Sequence, residues 1–184
     1  MNVSKIKTYL SISISMKKTL LFLLFLFIFA LPALVRAQDA KFTALYIINF
    51  TKYVQWPEPP GDEGFVITVL GEDPVTDQLK ALASAATGGA KITINKVMSL
   101  ESVGKTQILF ISPDKCNMLG SAASKFSPAN TLIVTQKSGL AREGAGINII
   151  SLEGKLTFEI NTDNLKKSGL SAKPVLFKLG KPVS

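Results

Sequence analysis

The chain has 184 residues, 47% of them hydrophobic, with one cysteine and no histidine. The absence of histidine removes the commonest general base and the commonest zinc ligand, and a lone Cys116 excludes an internal disulfide. The formal charge of +8 overstates the folded part: Lys5, Lys7, Lys17, Lys18 and Arg36 lie in the first 37 residues, leaving 16 scattered basic residues against 13 acidic ones, without the patch that nucleic-acid binding requires.

Residues 1–37 read as an N-terminal extension plus an export signal. Met16-Lys17-Lys18 is a short positive region and the natural start, Thr19–Leu31 is almost unbroken apolar, and Val35-Arg36-Ala37 supplies small residues for cleavage after Ala37. The rival is a retained anchor, but Leu20–Val35 is only sixteen residues long and contains Pro32, whereas a span takes roughly 20 apolar residues. No cysteine stands at the cleavage site, so a lipoprotein is not expected. These features predict that the mature chain is exported. Residues 38–184 have the length of one ordinary domain.

The first mature element is Asp39–Pro57, DAKFTALYIINFTKYVQWP. Phe42, Leu45, Tyr46, Asn49, Phe50, Tyr53 and Trp56 recur at spacings of three and four, which predicts a helix running to Trp56 and stopped by Pro57. Its stripe suits a core face, and its Trp56 end also suits an exposed docking patch; the two readings are compatible. After the loop Pro57–Gly64, Phe65–Leu70 (FVITVL) reads as a strand buried on both faces. Asp73 and Pro74 then open a helix whose apolar face is Leu79, Leu82 and Ala86 and whose stop is Gly88-Gly89.

Lys91–Val97 alternates as an edge strand does, and Gln107–Ile111 reads as a central one. Ser112-Pro113 starts a helix carrying Cys116, Leu119 and Ala123. Leu132–Thr135 is a further strand, and Ser138–Glu143 a single turn before Ile147–Ser151. Glu153-Gly154 predicts a hairpin turn into Lys155–Ile160, followed by a helix capped by Asn161 or Thr162 and a short helical stripe at Ala172–Leu179. Strands alternating with helices predict a single layered α/β domain: a mixed, mostly parallel sheet flanked by helices, with a C-terminal hairpin and short helices.

No catalytic, cofactor or metal site stands out. Gly71–Pro74 follows a strand and opens a helix, but Glu72 and Asp73 set negative charge where an anion would sit. Glu72, Asp73 and Asp77 do not have the spacing of a calcium loop. Acid–base chemistry would need two converging groups, and the sequence places no such pair, so an enzyme is not expected. Gly71–Pro74, Ser112 and Thr135–Ser138 would edge a small-molecule site at the carboxyl ends of the strands, the competing reading. Aromatic anchors ringed by polar groups are what protein interfaces favour. Two segments supply them: Tyr53, Trp56 and Pro57, with Tyr46 as an outlier, and Phe158–Asn161 with Leu165.

The order Lys41, Leu45-Tyr46, Asn49-Phe50, Lys52-Tyr53, Trp56-Pro57 resembles the opening helix of the YfiR-like (HmsC-like) periplasmic family. Phe65–Pro74, Gln107–Ser112, Thr131–Ser138, Leu156–Asn161 and Ser168–Leu179 follow the same pattern in order, so the resemblance covers essentially the whole mature chain. It implies a regulator that acts by protein contact. In the YfiR type this represses an inner-membrane diguanylate cyclase by holding its periplasmic part, raises cyclic-di-GMP and biofilm on release, and involves a sequestering outer-membrane partner. Control of a sensor kinase, as an accessory subunit, and a homodimer are related expectations. The resemblance also implies that Glu159, in Phe-Glu-Ile-Asn, belongs to a contact surface. Described family members carry internal disulfides, from which this chain departs.

Overall fold

The computed structural model describes residues 38–184 apart from 59–60, 62–63 and 86–90. The export-signal expectation for residues 1–37, Ala86 and the Gly88-Gly89 helix stop lie outside the described residues.

Helix α1, residues 38–53, ends three residues before Trp56. Pro57 is the only local breaker, so the earlier stop has a long-range cause. Val54 and Gln55 form β1, which pairs antiparallel with Ser171–Ala172 (β8), and the Lys173 N–H donates to the Tyr53 carbonyl at 2.8 Å. The buried line of α1 is also rotated from the aromatic stripe. Ala40, Ala44, Ile47, Phe50 and Val54 are buried, whereas Phe42 is exposed and Leu45, Tyr46, Asn49 and Tyr53 are half-buried. Ala40 and Ala44 lack bulk, so the helix backbone can lie close to the sheet while the larger rings lean over its shoulder.

The main sheet has seven strands in the order β3-β2-β4-β5-β6-β7-β9: β2 Phe65–Leu70, β3 Ile92–Val97, β4 Ile108–Ile111, β5 Leu132–Thr135, β6 Ile147–Leu152, β7 Lys155–Asn161 and β9 Lys181–Val183. The strands from β3 to β6 in that order are mutually parallel; β7 turns back antiparallel to β6, and β9 runs parallel to β7. This is the mixed, mostly parallel α/β sheet expected, with β3 on its edge. The hairpin turn at Glu153 (φ 51°) and Gly154 (φ 75°) has both central residues left-handed, the geometry that follows strand twist.

Helices α2 (Val75–Ala85), α3 (Leu119–Phe126), α4 (Thr162–Lys167) and α5 (Pro174–Leu179) complete the layers. Alternation divides the sheet residues between two cores. Ile67, Val69, Ile108, Phe110, Leu132, Val134, Ile149, Phe158 and Ile160 pack with α1 and with Val75 and Leu79 of α2. Leu70, Leu109, Ile111 and Ile133 pack with Cys116, Leu119, Ala122 and Phe126 around α3. The Ser112-Pro113 start is real, but Pro113–Met118 is a tight 3-10 segment before α3 proper, and Ser112 makes no side-chain cap bond to it. The terminal strand β9 and the β1–β8 ribbon have no counterpart in the sequence reading. Among the described residues no helix is long and apolar enough to cross a membrane.

Candidate partner-binding surface

Phe158 is the hub of one face. It is 1% exposed and meets the rings of Tyr46 and Phe50 edge-on at 5.3 Å each. Tyr46 is half-buried, and its hydroxyl donates to the Leu156 carbonyl at 2.9 Å, so it seals an outward-facing carbonyl of β7 beyond the reach of the short β9. Gly180 abuts the Phe158 ring so closely that a methyl group there would run into it.

Around this hub the surface turns apolar. Phe42, one helical turn before Tyr46, is 45% exposed, and Leu179, beside Gly180, is 58% exposed; Leu152, also exposed, pairs with Lys155 and by strand alternation falls with Asn148 and Glu159 on the other face. Val175 on α5 is exposed as well. Phe42 and Leu179 thus neighbour residues that touch the Phe158 ring, and large apolar side chains exposed on one face are the pattern of a contact site. Sequence reasoning missed Phe42 and Leu179 as surface groups, because each falls in an apolar helical stripe and period alone does not say which part of a stripe is covered.

The expected docking residues divide among several places. Tyr46 and Phe158 come together as described, with Phe158 as floor rather than surface. Glu159, next in the strand, points to the opposite face. There it is half-buried and accepts from the Asn148 amide at 3.1 Å, while Asn148 in turn accepts from the Thr135 hydroxyl (2.8 Å) and the Lys137 N–H (3.2 Å). Asn161 is buried and works as the cap of α4: its Oδ1 accepts from the Asn164 N–H at 3.0 Å, and its amide donates to the Ala141 carbonyl at 2.9 Å. Leu165 is a buried core residue. Trp56 and Pro57 lie at the far end of α1 from Phe42, Trp56 half-buried edge-on to Phe65 at 4.8 Å and Pro57 exposed. Tyr53 is half-buried against the first core.

The carboxyl-end crevice between β2 and β4, where the parallel order β3-β2-β4-β5-β6 reverses direction, is the usual ligand position in such sheets. Here it is filled. The Ser112 hydroxyl sits between the Leu70 carbonyl and the Asp114 carboxylate, and Gly71 (φ 108°) leaves no room for even a Cβ against it. Burial raises the Asp73 carboxyl above the usual range, with Asp114 adding to the rise against the lowering Val75 N–H bond. Burial likewise raises the Cys116 thiol, which disfavours the thiolate form. Among the described residues no group of three or more Cys, Asp or Glu side chains is placed to hold a metal ion.

A family model described as YfiR/HmsC-like matches residues 40–181. No curated protein matches the chain. Among solved structures, the chain is similar to an ABC domain in complex with L-Trp from Streptococcus pneumonia, at TM-score 0.51 and 11% identity. That likeness covers 67% of this chain and 56% of the other, and shows the fold alone.

Proposed function

The chain belongs to the YfiR/HmsC-like family, and from that membership we propose that it is an exported periplasmic regulator, without catalytic activity of its own, that represses or modulates a membrane signalling protein. The family match over residues 40–181 carries this reading. The target we favour is the periplasmic part of a diguanylate cyclase; a sensor kinase is the second target of the same type. An outer-membrane partner would compete for the regulator and relieve the repression.

The apolar rim about Phe158 is the docking surface this reading requires. Phe42 and Leu179 give it exposed anchors, over a floor formed by Tyr46 and Phe158. Interface energy concentrates in a few large side chains seated on a well-packed base. Glu159, on the other face, serves this surface only through β7. A small-molecule reading finds less support, since the crevice at β2 and β4 is occupied by Ser112 and Asp114.

The test is deletion of the coding region with measurement of cyclic-di-GMP, complemented by wild type or by Phe42→Lys/Leu179→Lys. The reading expects a raised level on deletion, restored by wild type and not by the double variant, at equal periplasmic accumulation. An unchanged level on deletion removes the cyclase branch. Full restoration by a stably accumulating double variant removes the Phe158 rim as the docking surface.

A further inference from the structure

At the other end of α1, beneath Trp56, lies a small cavity of about 70 Å³ lined by Trp56, Pro57, Glu58, Lys105, Gln107 and Asn130 among others. It opens at the amino ends of β2 and β4, away from the Phe158 rim. One water occupies roughly 10–15 Å³ on this measure, whereas drug-sized ligands need about 300 Å³ or more. The space therefore suits a group of a few heavy atoms.

The lining carries several donors, with the Glu58 carboxylate as its one acidic acceptor. The Trp56 indole N–H is enclosed and has no hydrogen-bond partner among the described residues. Such a buried, unpaired donor costs about 1–3 kcal/mol, and the side chain that carries it borders a polar cavity. Gln107 has its Oε1 taken by the Val66 N–H at 2.8 Å, which leaves its amide NH₂ as the free end. Thr106 is already engaged by Thr68, Val66 and Ile108, so it offers the cavity nothing. Lys105 is exposed and has no ion-pair partner among the described residues. Glu58, also exposed, is the one acidic group in the lining and disfavours a doubly charged anion beside the single ammonium.

The geometry points to a binding site for a small monocarboxylate of acetate size. Its two oxygens would take the Lys105 ammonium and the Gln107 amide, and the Trp56 N–H after a small rotation of the ring. This assignment is independent of the partner reading, which uses the opposite end of α1.

Trp56 is the only tryptophan in the chain, so its indole N–H gives a single proton–nitrogen NMR cross-peak that reports on this cavity. Purified protein is titrated with sodium acetate at neutral pH, with sodium chloride at matched ionic strength as control. The expected result is a saturable downfield movement of that peak with acetate and none with chloride. A charge-assisted hydrogen bond is worth about 1.5–3 kcal/mol, so Lys105→Gln should weaken the apparent affinity at least about tenfold, while Lys105→Arg largely keeps it. Lys105 is exposed, so both variants should retain the wild-type melting temperature. A peak that stays still, follows chloride equally, or titrates unchanged in Lys105→Gln overturns the assignment and leaves the cavity to water.

Discussion

The contact between Gly180 and Phe158 permits a sharp test of how the C-terminal segment is locked to the sheet. Gly180 has extended backbone (φ −114°, ψ 177°), so alanine is conformationally acceptable there and only space opposes it. The added methyl would strike the edge of a ring that is itself held by Tyr46 and Phe50. A ring wedged on three sides cannot yield freely, and overpacking of this kind costs about 1–3 kcal/mol. Phe158→Ala removes the same ring and should cost about 3–5 kcal/mol from lost burial and the cavity left behind.

Combined, the two changes should not add. In the Phe158→Ala background the obstacle is gone and the new methyl fills part of the void, so Gly180→Ala should become neutral or mildly stabilising. The coupling expected is at least about 1 kcal/mol, within the range of residues in direct contact. Urea unfolding of the four proteins, followed by circular dichroism, measures the cycle. Additive free energies would show that the ring and the Gly180 backbone do not constrain each other, and would remove the structural basis assigned to the apolar rim. A Phe158→Ala cost below about 1.5 kcal/mol would likewise contradict its place at the hub of the core.

Three further outcomes are expected. Asn161→Ala loses the α4 cap and the bond to Ala141 and should cost about 1–3 kcal/mol, whereas Asn161→Ser keeps a capping oxygen and should cost less; equal losses in urea midpoints would deny the capping role. Tyr46→Phe should cost about 1 kcal/mol by leaving the Leu156 carbonyl without its donor, read as a lowered melting temperature. Asp73 has its folded pKa raised, so the folded state holds the proton more tightly than the unfolded chain; its stabilising contribution is complete below the ordinary carboxylate range and is lost as pH rises through the raised value. Asp73→Asn keeps the acceptor for the Val75 N–H without the charge, and should therefore gain stability over wild type at pH 7 but not at acid pH, a difference that paired unfolding curves would reveal or refute.

The extent to which the sequence discloses this fold follows from the range of the forces involved. Strands β2, β4 and β5 are buried on both faces, and continuous β-branched runs such as Phe65–Leu70 and Leu132–Thr135 announce that without any neighbour being known. The Glu153-Gly154 turn and the Asn161 cap are equally local, since each is specified within a few residues. By contrast, β9 consists of Lys-Pro-Val, a segment with a proline and little apolar bulk. It becomes a strand because β7 offers it an open edge at Glu159–Asn161, where Pro182 stands opposite Ile160. The β1–β8 ribbon has the same origin, and it is what cuts α1 short.

The docking residues were hard to place for a related reason. Helical period alone cannot say which side of a stripe is buried. Phe42 and Phe50 both fit the apolar spacing, yet Phe50 is 1% exposed and Phe42 is 45% exposed, because Ala40 and Ala44 turn the helix so that its narrow side meets the sheet. A large ring in place of either alanine would lift α1 from the sheet and draw Phe42 inward or outward with it. The exposed rim is thus a consequence of two small residues that carry no surface chemistry. Strand alternation is more decisive: it sends Phe158 to one face and Glu159 to the other, so a single contact surface cannot use both side chains directly. Any interface that depends on Glu159 must therefore reach the Asn148–Thr135 side of the sheet, and an interface that depends on Phe42 and Leu179 must lie on the α1 side. Glu159→Lys and Leu179→Lys should consequently separate the two faces, with only one of them affecting partner binding.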